Sequence, residues 1–224
     1  LLRLPLSGTI LIMTRWQRIR FTVFSVLGFG IAWLAWTAAL PALGPVDELW
    51  RFPIPSHDAW LGQLGAAIAI LTTPSVTFAV LLGAALWASR RQLTTLAAAL
   101  LLSVAMAFGI GQVSKELIAR TRPESHWDFL FTTTGYSYPS GHMTAITTAA
   151  VMLFVTARII RRGAPATLLA RTVAPLAVVA VALDRLVMQA HFVTDVVGGF
   201  LLGGLAASLS CLICGVHLPR RRSD

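Results

Sequence analysis

The sequence predicts an all-α protein, a polytopic bundle of six membrane-spanning helices. Hydrophobic residues make up 56% of its 224 positions and charged residues only 12%, against roughly 25% charged in soluble domains. The mean hydropathy is +0.75. Apolar stretches near the roughly 20 residues a helix needs to cross a bilayer recur at 21–42, 70–89, 93–114, 142–160, 172–190 and 193–215. The ionisable residues between these stretches are sorted by sign.

Each element has its own local justification. The opening stretch LLRLPLSGTILIMTR has no small-residue cleavage site of the signal-peptide kind and reads as open to a non-native remnant or an upstream extension ahead of Met13. The run Ala59 to Leu71 contains Gly62 and Gly65 and stops at Thr72-Thr73-Pro74. It reads as an outer interfacial or half-buried helix leading into span two, with one long tilted helix as the alternative. Spans two and three turn at Arg90-Arg91, and spans four and five at an arginine-rich stretch between 158 and 171. In span six Gly199 and Gly203 form GxxxG, which predicts close packing inside the bundle in preference to a dimer seam. Cys211 and Cys214 lie in the same run. Two cysteines are too few for a disulfide framework and half of a tetrahedral zinc site, so they read as small core residues. No linker, repeat or low-complexity tract divides the chain, so residues 1–224 are expected to form a single membrane-embedded domain.

Charge sets the orientation. The N-terminal segment, the 90–91 turn, the 158–171 turn and the tail hold thirteen of the eighteen cations, while eight of the nine acids fall in the other set of loops. The positive-inside rule then puts both termini in the cytoplasm of a plasma (inner) membrane protein. The formal charge of +9 is thereby explained by topology, and no nucleic-acid partner is expected.

Five cations remain outside: Arg51, Lys115, Arg120, Arg122 and Arg185. Lys115, the only lysine, ends span three; Arg122 follows it; Arg185 ends span five; Pro139-Ser140-Gly141-His142 opens span four; His191 and Asp195 open span six. Any one of these cations alone would read as a snorkelling anchor, but their convergence at one depth, where ionisable groups are costly, points to a site. Lys115, Arg122 and Arg185 suit a phosphate, two as planar forks and one as a point charge. A helix starting after Pro139 offers free N–H groups to the same anion, Gly141 admits close approach, and Ser140 is placed to cap the helix and to donate to phosphate. His191 and Asp195, four apart, share a helix face, so the carboxylate can orient the ring and leave its other nitrogen free to attack. His142 is then positioned to protonate the leaving oxygen. A helix N-terminus disfavours a protonated histidine, and the bound phosphate has to offset that. His57, His126 and His217 lack such partners. Arg120 and Glu116 are expected to solvate the end of span three. Trp127, Phe129, Phe131, Tyr136 and Tyr138 are expected to form an interfacial aromatic belt, with a wall guiding a lipid tail as the alternative.

Lys115 to Pro123 (KELIARTRP) matches KxxxxxxRP, residues 139–142 match PSGH, and Arg185 to Asp195 (RLVMQAHFVTD) matches RxxxxxHxxxD. In this order the three motifs resemble the signature of the type 2 phosphatidic acid phosphatase superfamily, which is shared with vanadium-dependent haloperoxidases. They cover about 80 residues, and the six-span plan extends the likeness over most of the chain. One departure is Asp184, where the third motif usually has Ser before its arginine.

The resemblance implies a metal-independent hydrolase with no cofactor. Its phosphohistidine would form on His191, with Asp195 orienting the ring and His142 as general acid and then base. Lys115, Arg122, Ser140, Gly141 and Arg185 would hold the phosphoryl oxygens. The expected substrate is a lipid phosphate or diphosphate presented at the extracytoplasmic face, with a polyprenyl (undecaprenyl-type) diphosphate placed first and phosphatidylglycerophosphate or phosphatidic acid as alternatives. A phosphotransferase using the same phosphohistidine stays open. Oligomeric state is not legible in the sequence.

Overall fold

The computed structural model describes residues 7–50, 59–123, 135–160 and 164–216, and among them every regular element is a helix. They are α1 (Ser7–Ala39), α2 (Gly44–Leu49), α3 (Trp60–Leu71), α4 (Pro74–Arg90), α5 (Thr94–Ile118), α6 (Gly141–Ile159), α7 (Ala164–Val187) and α8 (Val193–Ile213). Arg51, His57, His126, Trp127, Phe129, Phe131 and His217 lie outside the described residues.

Helix ends follow the local chemistry. A short 3-10 turn containing Pro41 closes α1, and Pro45 sits in the first turn of α2, where its missing N–H costs nothing. Pro74 opens α4 in the same way, with Thr73 Oγ1 accepting from the Val76 N–H at 3.4 Å. The chain therefore breaks at Thr72-Thr73, and α3 meets α4 at a bend of 42°. This favours the expected separate helix over a single tilted one. At the other end of the next hairpin, α5 stops at Ala119, whose φ of 47° is left-handed and whose N–H bonds Lys115 O at 2.9 Å. A left-handed non-glycine costs about 1–2 kcal/mol, and here it turns the chain sharply between Lys115 and the two arginines that follow.

The helix with the most enclosed apolar window is α8, 61% of which is buried. Glycines set its contacts. A methyl group on Gly199 would meet Ser140 O at 2.5 Å and one on Gly203 would meet Thr144 O at 2.6 Å, so the GxxxG stripe is pressed against the first turns of α6. On the opposite side Gly204 abuts the Phe29 ring of α1, and Phe29 packs edge-on against Phe200 with centroids 6.1 Å apart. Cys211 is a buried member of the core shared by α4, α5, α6 and α8, and both cysteines are free thiols. Large apolar side chains such as Phe24, Ile31, Val80, Leu117 and Leu176 face outward. That is the pattern expected where lipid, not water, is the solvent.

Thr22–Ala42, Thr94–Ile118, Gly141–Ile159 and Val193–Ile213 are long and apolar enough to cross a membrane, and the bent α3/α4 pair brings the number to five. The remaining expected span, the fifth, corresponds to α7, which has 24 residues but carries Arg171, Asp184 and Arg185.

Candidate active site

Four helix ends and one break meet at one end of the bundle: the end of α5, the start of α6, the end of α7, the start of α8, and the α3/α4 bend. Between them lies a cavity of about 370 Å³. Lys115, Arg122, Gly141, His142, Arg185 and His191 line it together with the apolar Pro74, Phe78, Ala107 and Phe108. Charged and apolar side chains thus share one space.

Each polar residue has a structural reason to be there. The left-handed turn at Ala119 lets Lys115 and Arg122 close on the same strip of backbone. Lys115 Nζ donates to Tyr136 O at 2.7 Å, and Arg122 Nε donates to Gly135 O at 3.1 Å. Arg122 Nη1 also donates to Ala190 O at 3.1 Å and stands 3.2 Å from His191 Nε2. An arginine N–H can only donate, so Nε2 is the unprotonated nitrogen and Nδ1 carries the hydrogen. Nδ1 lies 3.6 Å from Asp195 Oδ2, an ion-pair distance longer than a hydrogen bond. Burial holds the His191 imidazole down at about 4; Asp195 pulls it up, and Arg122 pushes it down further.

The PSGH turn is tied to α8 by its backbone, since Ser140 N–H donates to Asp195 O at 3.0 Å. Ser140 does not cap α6 as the sequence suggested. It stands at the N-cap position, but its Oγ is buried and makes no hydrogen bond. An unpaired buried hydroxyl costs about 1–3 kcal/mol, which a bound acceptor would recover. Gly141 begins α6, and a methyl there would crowd Pro74 at 3.3 Å. His142 Nε2 lies 3.2 Å from the Ala69 carbonyl. Since a carbonyl only accepts, this contact puts a proton on Nε2 and links the ring to α3.

Arg185 is 3% exposed and closes on its sequence neighbour: its Nε donates to Asp184 Oδ2 at 2.8 Å, and its Nη2 bonds the same oxygen. The residue that departs from the motif is therefore the arginine's partner.

Two further expectations are corrected. Arg120 does not solvate the helix end. It donates to Asp195 Oδ1 at 2.8 Å and bonds Asp47 of α2, because the turn at Ala119 carries it inward. Tyr138 is not part of an interfacial belt: it is fully buried, hydrogen-bonded to Thr37 Oγ1 at 2.6 Å and packed on Gly198. Tyr136, half-buried, lines the cavity. Asp47 and Thr194 were missed altogether. Among the described residues, no three His, Cys, Asp or Glu side chains are grouped to share a metal ion.

Apolar helices of spanning length around an enclosed cluster of cations and imidazoles define an all-α integral membrane protein. The chain belongs to the PAP2 superfamily, whose sequence model matches residues 96–219. A protein of Sulfolobus acidocaldarius described as an undecaprenyl-diphosphatase is 32% identical over 121 residues, which are 51% of this chain and 53% of that one. The chain thus spans about half the length of the curated relative it matches. Among solved structures, the transmembrane PAP2-type phosphatidylglycerolphosphate phosphatase of Bacillus subtilis superposes with a TM-score of 0.63 at 23% identity, covering 84% of this chain and 94% of that one. That likeness is one of fold.

Proposed function

We propose that the chain is a lipid phosphatase that removes a phosphate from a membrane lipid through a phosphohistidine on His191. The observation that carries this reading is the unprotonated Nε2 of His191, which accepts from Arg122 in a cavity that also holds Lys115, Arg185 and His142. Nε2 attacks phosphorus, the P–N bond forms as the P–O bond to the lipid breaks, and His142 gives a proton to the departing oxygen. Water then attacks the phosphohistidine, His142 takes its proton, and inorganic phosphate leaves. Asp195 orients His191 and offsets the charge that the ring gains. Lys115, Arg122 and Arg185, the Ser140 hydroxyl and the N–H groups at Gly141 hold the phosphoryl oxygens. The Ala69 carbonyl, 3.2 Å from His142 Nε2, fixes the orientation of that ring beside the site. Uncatalysed phosphate-ester cleavage is slow enough that this cage has to lower the barrier by about 20 kcal/mol.

The reaction is metal-independent, since each charge it develops has a protein partner in this scheme. The whole chain acts as one domain of six spans, α7 being the fifth and the α3/α4 pair the second. Both termini are cytoplasmic and the cavity opens on the extracytoplasmic side of the plasma membrane. A polyprenyl diphosphate is the substrate we favour. The undecaprenyl-diphosphatase among its relatives supports that choice, and the apolar lining at Phe78 and Phe108 offers a path for the chain of such a lipid.

The test is phosphate release by the detergent-purified protein, in EDTA, from a polyprenyl diphosphate, phosphatidylglycerophosphate, phosphatidic acid and a soluble ester. We expect release that is fastest with the diphosphate and lost in His191→Ala. Phosphate retained in an organic product would instead identify a phosphotransferase.

A further inference from the structure

Behind the cavity, Asp195 is held by a group that the reaction scheme does not use. Its Oδ1 accepts from Arg120 Nη1 at 2.8 Å, and its Oδ2 accepts from the Phe192 N–H at 3.0 Å. Arg120 Nη2 reaches Asp47 Oδ2 at 2.5 Å, and the same guanidinium lies over the Phe192 ring, 4.3 Å from its centroid. Asp47 in turn accepts from the Thr194 N–H at 3.0 Å through Oδ1 and from Thr194 Oγ1 at 2.9 Å through Oδ2. Asp47 is 4% exposed, and Thr194 and Asp195 are fully enclosed. Arg120 and Asp47 are not among the described residues that line the cavity.

Resting on the function proposed above, we propose that Arg120 and Asp47 are positioning residues that set the Asp195 carboxylate against His191. Two carboxylates share one guanidinium, and each has its other oxygen fixed by a backbone N–H at the start of α8, that of the N-cap Phe192 for Asp195 and that of Thr194 for Asp47. Neither can rotate without breaking a charge-assisted bond, which is about twice as strong as a neutral one. With Oδ1 occupied by Arg120, the oxygen left for Nδ1 is Oδ2, now 3.6 Å away. A small approach makes the bond as His191 gains the phosphoryl group. Arg120 also withdraws charge from Asp195, which disfavours transfer of the Nδ1 proton to the carboxylate and keeps the ring the base. Asp47 sits on α2, so the segment following the first span is wired to the nucleophile.

Positioning through Asp195 has a signature that plain structural support lacks. In the full-length protein, Arg120→Gln should lower kcat on the order of 100-fold with KM within about twofold, since the phosphate contacts are untouched. Arg120→Lys should restore part of the loss. In an Asp195→Asn background the same Arg120→Gln change should cost less than about twofold, because the group it acts on is already gone. Asp47→Asn, which keeps the shape of the side chain, should reproduce the pattern more weakly, and it carries the test if Arg120→Gln does not fold. Equal losses in both backgrounds, a rise in KM at constant kcat, or wild-type kinetics would overturn the proposal. If His191→Ala is inactive while Arg120→Gln and Asp47→Asn behave as wild type, only this pair is refuted. An active His191→Ala would refute the site itself.

Discussion

Asp184 and Arg185, neighbours in sequence at the end of α7, are also partners: both Nε and Nη2 of the arginine address the single oxygen Oδ2 of the aspartate. The other oxygen, Oδ1, is buried without a hydrogen bond and would sit 3.1 Å from a methyl group added at Gly65 of α3. A phosphate approaching Arg185 therefore competes with a carboxylate already in place. Asp184→Ser removes that competitor and returns the residue usual in the motif. Inhibition by inorganic phosphate or vanadate should tighten on the order of tenfold, a modest share of the Coulomb energy of one charge at this range. Inhibition constants measured at fixed salt check this, and unchanged or weaker inhibition would count against competition.

Arg122 Nη1 stands 3.2 Å from His191 Nε2, the nitrogen proposed as nucleophile. Arg122→Lys keeps the charge but loses the fork that spans Gly135, Ala190 and the ring. A fall in kcat of roughly 100- to 1,000-fold is expected, as for loss of one donor to a developing anion. Steady-state kinetics on a soluble ester measure it, and a loss below tenfold would place the phosphate elsewhere.

The α6–α8 seam predicts a steric result. Gly199→Ala puts a methyl 2.5 Å from Ser140 O, so α8 has to move away from the PSGH turn, at a cost of about 1–3 kcal/mol. Gly83→Ala meets nothing within 4 Å and should be neutral or slightly stabilising. Thermal unfolding in detergent compares the two. Activity should fall with Gly199→Ala because Ser140 N–H and Asp195 O are joined across that seam.

A buried, neutral His191 fixes the acid limb of the pH profile. With the ring held at about 4, the attacking form is fully present at neutral pH and is lost only as pH falls through that value. The kcat/KM profile should therefore stay level through pH 6.5, the usual range of imidazole, and drop near 4. Asp195→Asn removes a group that raises the value, so the limb should shift to lower pH. A limb centred near 6.5 in the parent protein would show that His191 is solvated in the working enzyme.

Much of this was legible in the sequence because its strongest signals are local. Apolar length marked the helices, the Thr72-Thr73-Pro74 break marked the bend, and the spacing of His191 and Asp195 marked a pair that the structure keeps at ion-pair distance, although His191 stands in the turn ahead of α8 and not on a shared helix face. Gly199 and Gly203 announced a close approach, and the partner they found is α6. What escaped depended on backbone turns and on contacts between distant segments. A left-handed alanine at 119 has no sequence mark, and without it Arg120 reads as one more solvated cation. Asp47 is 147 residues from Thr194, its hydrogen-bond partner, with no periodic pattern to relate them. Tyr138 was misread because an aromatic beside a span is usually interfacial; the missing side chain of Gly198 opens the space that encloses it. The Asp184–Arg185 pair stood in plain view as a departure from a motif, but whether they meet depends on side-chain orientation, which the sequence does not carry.

The central claim is that the phosphoryl group passes through His191 Nε2. Its most direct test is to stop turnover of a substrate labelled in the transferred phosphate with alkali, under which phosphohistidine survives, and to map the labelled peptide. Label on the peptide containing His191, absent in His191→Ala and longer-lived in His142→Ala, is the predicted result. Turnover with no labelled protein, or label on another residue, would contradict the account.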